Sequence, residues 1–206
     1  MLDHVEPKST FVELGAFWAY YTNWFLARIP SATAVCVEPD LNHLAFGRAN
    51  LRLNNNDAVF LNACVGGEAI GATRFNRESD DGVVTIPCLD MGALLRTACC
   101  ERIEVLHMDA QGAEHPFIVS MRNATAAGKL RFIVVSTHHE SISGVATTHL
   151  DCIAEIEAQG GAILAEHSVA ESYSGDGLVI ASFNPMDRAI KMPSISRNPA
   201  GAGLFR

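Results

Sequence analysis

Short, β-branched apolar runs recur along this chain, and most are followed by a segment long enough for a helix. The runs are "TFVELG" (Thr10–Gly15), "TAVCVEP" (Thr33–Pro39), "AVFLNACVG" (Ala58–Gly66), "IEVLHMD" (Ile103–Asp109) and "LRFIVVSTHH" (Leu130–His139). Strands alternating with helices predict a parallel α/β sheet covered on both faces. Two further runs, "AILAEHSV" and "DGLVIASF", are joined by the polar turn "AESYSG". A connection that short pairs two strands antiparallel, because a parallel crossover needs about a dozen residues or more.

The segments between the strands carry their own signals. "AFWAYYTNWFLARI" is expected to be the first helix. Asp40 caps the second, with Leu41, Leu44, Ala45 and Ala49 at i, i+3, i+4 and i+8 as its apolar face. "ATRFNRE" and "GVVTIPCLD" read as two extra strands around the exposed turn "SDDG", and Met91–Cys99 as a short helix. Phe117, Met121 and Ala124 share one face of the helix after Asp109. Thr148 with Asp151 forms a capping-box-like start to a last helix, with Leu150, Ile153 and Ala154 inward and Gly160-Gly161 as its stop. From Asn184 the chain turns rich in Pro, Ser and Gly. Residues 1–183 are expected to form one domain and 184–206 a flexible tail.

Composition narrows the classes of function. Of 206 residues, 49% are hydrophobic and 18% charged, a globular balance rather than a disordered one. The formal charge of −8 argues against a broad electrostatic grip on nucleic acid. No secretory signal is visible, and no apolar run approaches the roughly 20 residues that span a bilayer. The six Cys form no CxxC pair, and inside apolar runs they read as small buried hydrophobes with reduced thiols. The expectation is a soluble cytoplasmic protein acting on a small molecule, with no nucleic-acid or membrane partner, as a monomer or a homo-oligomer.

In open α/β sheets ligands sit beyond the carboxyl ends of the strands. Here those ends offer Glu13-Leu14-Gly15, Glu38-Pro39-Asp40, Asn62-Ala63-Cys64, His107-Met108-Asp109 and Thr137-His138-His139-Glu140. One ligand accounts for this set. S-adenosylmethionine carries a sulfonium, an ammonium, a carboxylate, a ribose diol and an adenine. An acid ending the second strand, Glu38, accepts ribose hydroxyls. Gly15 lets backbone approach the ligand, and the next helix start faces its carboxylate. Asp109 receives the ammonium or orients the acceptor. Each signal has a structural reading of comparable weight, Glu38 as a solvated strand end and His107 as a packed strand histidine. Their conjunction at matched strand ends raises the functional one.

The chain resembles the FkbM-type family of S-adenosylmethionine-dependent methyltransferases from about Phe11 to about Phe183. "FVELGAFWAYYT" is similar to that family's first motif, "VEPD" to its strand-2 acid, "LRLNN" with "FLNACVGG" to its next segment, and "VTIPCLDMGALL" to the one after. "LHMDAQGAEHPFIVSM" is the most specific match, to a Lys/His-x-Asp-x-x-Gly-x-Glu segment. The resemblance implies a class I methyltransferase fold: a Rossmann-like three-layer sandwich with a seven-stranded, mostly parallel sheet whose last strand is antiparallel. It implies O-methylation of a small-molecule hydroxyl, on a sugar, polyketide or similar metabolite. It implies cofactor-site positions at Glu13, Gly15, Glu38 and Asp109; Asn62 and Ala63, at the third strand end, and Phe17, placed to pack on the cofactor, complete the expected set. Phe17 and Ala19 depart from the pattern, standing where the usual motif has small, Gly-type residues. Strand 1 begins at Thr10, whereas most relatives carry a longer N-terminal region.

Transfer to oxygen needs alignment and a proton acceptor. His138 or His139 is the expected base and Asp109 the other candidate. A divalent cation held by Asp109 with His138 or Glu140 is the less favoured arrangement, and no metal ligand is assigned. Two rivals remain. A dinucleotide-dependent oxidoreductase lacks its glycine-rich turn here. A non-catalytic or partner-dependent cofactor-binding subunit would retain the fold without turnover.

Overall fold

In the computed structural model, which describes residues 1–199, seven strands form one sheet in the order β3-β2-β1-β7-β8-β10-β9. They are β1 (Thr10–Leu14), β2 (Thr33–Val37), β3 (Val59–Leu61), β7 (Ile103–Met108), β8 (Leu130–Thr137), β9 (Ala162–His167) and β10 (Gly177–Ser182). β10 runs antiparallel to both neighbours, while β3-β2-β1-β7-β8 pair in parallel. The expected sheet, with its last strand reversed, is therefore present. The strand order reverses between β1 and β7, and the carboxyl ends there form a crevice.

The middle of the sheet is buried, while its edge strands β3 and β9 are only partly so. β7 is its centre, with every residue buried, Glu104 and His107 included. On one face α3 (Met91–Thr97), α4 (Glu114–Ser120) and α7 (Thr148–Ala158) close over Val12, Leu106, Met108 and Ile133. On the other, α1 (Tyr20–Arg28) stacks Phe25 on Phe11 of β1 at 4.7 Å between ring centroids, and α2 (Leu41–Leu53) packs Leu51 near Cys36. Phe117, Met121 and Ala124 are all buried, as expected, although the segment breaks at Met121 into α4 and α5 (Arg122–Ala126).

Several boundaries and faces differ from the sequence reading. The run Ala58–Gly66 is two strands, because Asn62-Ala63 divert the chain. β4 (Cys64–Val65) leaves the main sheet and pairs with β6 (Val83–Leu89), which pairs in turn with β5 (Ile70–Asn76). The first helix starts only at Tyr20, since Phe17 and Ala19 hold positive φ of 39° and 53°. On α2 the inward face is Leu44, Gly47 and Leu51, while Leu41, Ala45 and Ala49 face outward. The reason is Gly47: a Cβ there would sit 2.9 Å from the Phe17 carbonyl oxygen, so the helix meets that loop where it has no side chain. On α7 Leu150 is 65% exposed and Ala154 is exposed. Thr148, Cys152, Glu155 and Ile156 turn inward instead, because Arg122 neutralises Glu155 through two bonds of 2.7 Å. The capping contact belongs to Thr147, whose hydroxyl donates to Asp151 at 2.6 Å.

At the amino end of the sheet Arg131 binds Glu104 at 2.6 Å and Asp187 at 2.8 and 2.9 Å. Asp187 lies in a 3-10 turn, Pro185–Ala189, so the start of the segment after β10 is fastened to the sheet. Arg197 pairs with Glu166 and Glu171 further on. Positions 200–206 of the expected tail lie outside the described residues. No helix among the described residues is long and apolar enough to cross a membrane.

Candidate active site

A cavity of 400 Å³ opens at the carboxyl ends of β1, β2 and β7. Its floor is set by Gly15, whose φ of +72° and close packing exclude any side chain. A Cβ there would lie 1.8 Å from the carbonyl oxygen of Asp109. The amide of Asp109 donates to Leu14 at 2.9 Å, and those of Gly15 and Ala16 to Val37 at 3.0 and 3.1 Å. Three strand ends are thus locked together, and their side chains project from one ledge.

Glu38 is the acid of that ledge. It is 4% exposed, and its two oxygens accept the amides of Phe17 and Asp40, each at 2.9 Å. Burial raises its pKa, with those amides acting against the rise. His43 lies 3.7 Å away and packs against Phe17, tilted, at 4.1 Å between ring centroids. The Phe17 ring stands in the cavity wall. Asp40 caps α2 and also accepts the Ser79 amide at 3.0 Å, which ties the β5–β6 hairpin over the cavity and brings Phe75 and Glu78 into its lining.

Asp109 forms the other wall. Just after it, Glu114 closes the loop: one oxygen accepts the Ala110 amide at 3.2 Å and His138 Nδ1 at 2.7 Å, and the other accepts the Gly112 amide at 2.9 Å. Gly112 has φ +104°, and a Cβ there would meet Ser143 at 3.0 Å. The Nε2 of His138 lies 3.2 Å from Asp109 and 3.8 Å from Asp176. Burial works against a charge on His138, but the hydrogen bonds its ring donates to Asp109 and Glu114 outweigh it and raise its pKa to about 10. The ring is therefore an imidazolium near neutral pH, clamped between two carboxylates.

The sequence candidates thus separate. Gly15, Phe17, Glu38, Ala63 and Asp109 line the cavity. Asn62 stands behind it, its amide donating to the carbonyls of Glu38 and Pro39 at 3.0 and 2.9 Å. Glu13 lies under α1, accepting the Thr22 amide at 3.0 Å, and burial raises its pKa to about 7. His138 touches Asp109 from behind. His139 begins α6 (Glu140–Ser143), where its Nδ1 accepts the Ser141 amide at 3.2 Å. Among the described residues no group of three or more His, Cys, Asp or Glu takes up a metal-holding arrangement. Sequence reasoning missed His43, Phe75, Glu78 and Asp176. Only His43 had a local signal, its place three residues past the Asp40 cap.

No protein-family profile matches the sequence, and no curated protein matches it. Solved structures do match. The precorrin-6y C5,15-methyltransferase of Geobacter metallireducens GS-15 aligns with a TM-score of 0.55 at 13% identity, over 88% of this chain and 83% of that one. Fibrillarin of Aeropyrum pernix, solved with natively bound S-adenosyl-L-methionine, gives 0.53 at 14%, over 86% and 67%. TrmK of M. capricolum, solved with S-adenosyl-homocysteine, gives 0.55 at 8%, over 93% and 72%. At such identities the likeness is one of fold, and the fold is the Rossmann-like one of class I methyltransferases.

Proposed function

We propose that this chain is an S-adenosylmethionine-dependent O-methyltransferase of the FkbM type, acting on a hydroxyl of a small molecule, with residues 1–183 as its methyltransferase unit. The observation that carries the reading is the cavity at the β1/β7 reversal, walled by Glu38 on one side and Asp109 on the other. Its volume falls in the range of small-ligand pockets, about 300–1,000 Å³. The residues present fit the cofactor. Each Glu38 oxygen takes one amide, which leaves acceptor capacity for a ribose diol. The Phe17 ring offers a flat face to an adenine, and the Asp109 carboxylate, 42% exposed, faces the cavity for an ammonium or a hydroxyl. The neighbours solved with this cofactor or its product support the same reading.

The cofactor supplies an electrophilic methyl group on a sulfonium. As the O–CH3 bond forms, the S–CH3 bond breaks, the sulfur keeps the electron pair, and the hydroxyl proton goes to an acceptor on the protein. We assign that acceptor to Asp109. His138 is held protonated and has both nitrogens engaged, so it fixes and screens the Asp109 carboxylate rather than taking the proton. His139 caps α6 outside the cavity lining. A second reading, a cofactor-binding subunit without turnover, is favoured by Phe17, a bulky ring at φ +39° in the cavity wall.

Turnover separates the two. With methyl-labelled S-adenosylmethionine and a panel of hydroxylated small molecules, wild type should transfer label. Asp109→Asn should lower kcat at least about 100-fold, as expected for loss of a general base. Cofactor binding without transfer to any acceptor would favour the second reading.

A further inference from the structure

The sheet face that carries α1 is covered only in part. Beside α1 lies a groove of 620 Å³ whose floor is Val105, Val134, Leu178 and Ile180, from β7, β8 and β10. At strand spacings of about 4.8 Å, the floor from β7 to β10 is roughly 10 Å wide. Tyr21 and Trp24 of α1 form one wall and are 45% and 46% exposed. Aromatic rings at that exposure beside an apolar floor are a costly surface to leave in water.

One buried polar atom in the groove's lining has no partner. His107 is 6% exposed, its ring lies 4.2 Å from that of Tyr21, and its Nδ1 forms no hydrogen bond. Burial lowers its pKa to about 4, so near neutral pH it meets a ligand as a neutral imidazole, able to bond a hydroxyl. Asp109 follows His107 by two residues at the carboxyl end of β7, so the groove's upper end leads toward the strand end that carries the carboxylate of the cofactor cavity.

We infer that this groove is the acceptor site and that it takes a flat multi-ring phenol with more than one hydroxyl, laid on the sheet beside Tyr21 and Trp24, one hydroxyl bonded to His107 and another directed toward Asp109. A flat ring system uses the whole width of the floor and the aromatic wall, which a sugar would leave unsatisfied. The inference rests on the methyltransferase reading, since it supplies that reading with an acceptor class.

The test is a fluorescence titration of 2-naphthol, with naphthalene as the control lacking the hydroxyl, on wild type, His107→Phe and Leu178→Trp. Circular dichroism verifies folding, and S-adenosylhomocysteine is titrated in parallel. Wild type should bind one 2-naphthol saturably. His107→Phe should weaken 2-naphthol about tenfold, the loss of one hydrogen bond, and leave naphthalene unchanged. Leu178→Trp should abolish binding of both and leave S-adenosylhomocysteine binding intact. Binding of S-adenosylhomocysteine without 2-naphthol, or 2-naphthol binding indifferent to Leu178→Trp, overturns the groove assignment. So does a wild-type dimer in sedimentation that Leu178→Trp dissociates, because the groove would then belong to a second copy. Binding of 2-naphthol without S-adenosylhomocysteine sinks the methyl-transfer reading instead and leaves the ligand class standing.

Discussion

Replacing Glu114 with Gln removes the tie that holds Asp109, the 110–112 loop and His138 in one arrangement. The carboxylate is 0% exposed and accepts two amides and an imidazole N–H. A Gln offers one oxygen to three donors and turns its own NH2 toward at least one of them. Charge-assisted bonds contribute roughly 1.5–3 kcal/mol each, and breaking a buried pair costs about 3–5 kcal/mol. We expect a loss of about 4 kcal/mol in urea unfolding followed by circular dichroism near neutral pH. For a chain of this length that lowers Tm by roughly 8–16 °C. The pH dependence makes the test specific. In the folded chain the pKa of His138 is raised from 6.5 to about 10. Its charge therefore contributes fully below about pH 6.5, and the contribution fades as pH rises through about 10. With one carboxylate partner left in the variant, the folded pKa drops toward 6.5. The stability gap between the two proteins should be widest near pH 6–7 and narrow toward about pH 10. A gap below about 1 kcal/mol, or one that stays constant across that range, would refute the clamp.

Three further outcomes are expected. Gly15→Ala places a Cβ 1.8 Å from a backbone oxygen at φ +72°. It should destabilise the fold by about 3 kcal/mol or more in the same unfolding assay, and a variant as stable as wild type would contradict the ledge. Burial raises the pKa of Glu13 from 4.5 to about 7, so its favourable protonated state is complete below about pH 4.5 and lost as pH rises through about 7. Glu13→Gln should therefore match wild type near pH 4.5 and exceed it by about 2–3 kcal/mol near pH 8 in paired melts; a gap independent of pH would contradict this. Arg131→Leu leaves Asp187 without its ion pair and Glu104 with Arg102 alone and should cost about 3–5 kcal/mol. Faster amide exchange at Pro185–Ala189 reads out the loss, and unchanged exchange there would count against the tie.

The strand–helix alternation made the sheet legible because each main strand is a contiguous apolar run, and the central ones are almost wholly buried. Glu38 and Asp109 were legible for the same reason: each is the acid that ends such a run. What stayed hidden depends on contacts between distant residues. The inward face of α2 is set by the Phe17 loop pressing on Gly47, and that of α7 by Arg122 reaching Glu155, so neither follows from hydrophobic spacing within one helix. The split at Asn62-Ala63 was invisible because both halves are β-formers that join different sheets. The role of His138 was obscured likewise. Its neighbours in sequence suggest an available base, whereas Glu114 and Asp109, both distant in the chain, hold it charged. Phe17 was singled out as a departure from the glycine pattern, and the structure shows how the chain accommodates it, with positive φ and a ring packed at a tilt against His43.

The central claim is a cofactor held between Glu38 and Asp109, and isothermal titration of S-adenosylhomocysteine into wild type and Glu38→Gln tests it most directly. The account predicts one site per chain on wild type and at least tenfold weaker binding to the variant, the cost of one lost charged acceptor of about 1.4 kcal/mol or more. Equal affinity in both, or no binding to folded wild type, would contradict it.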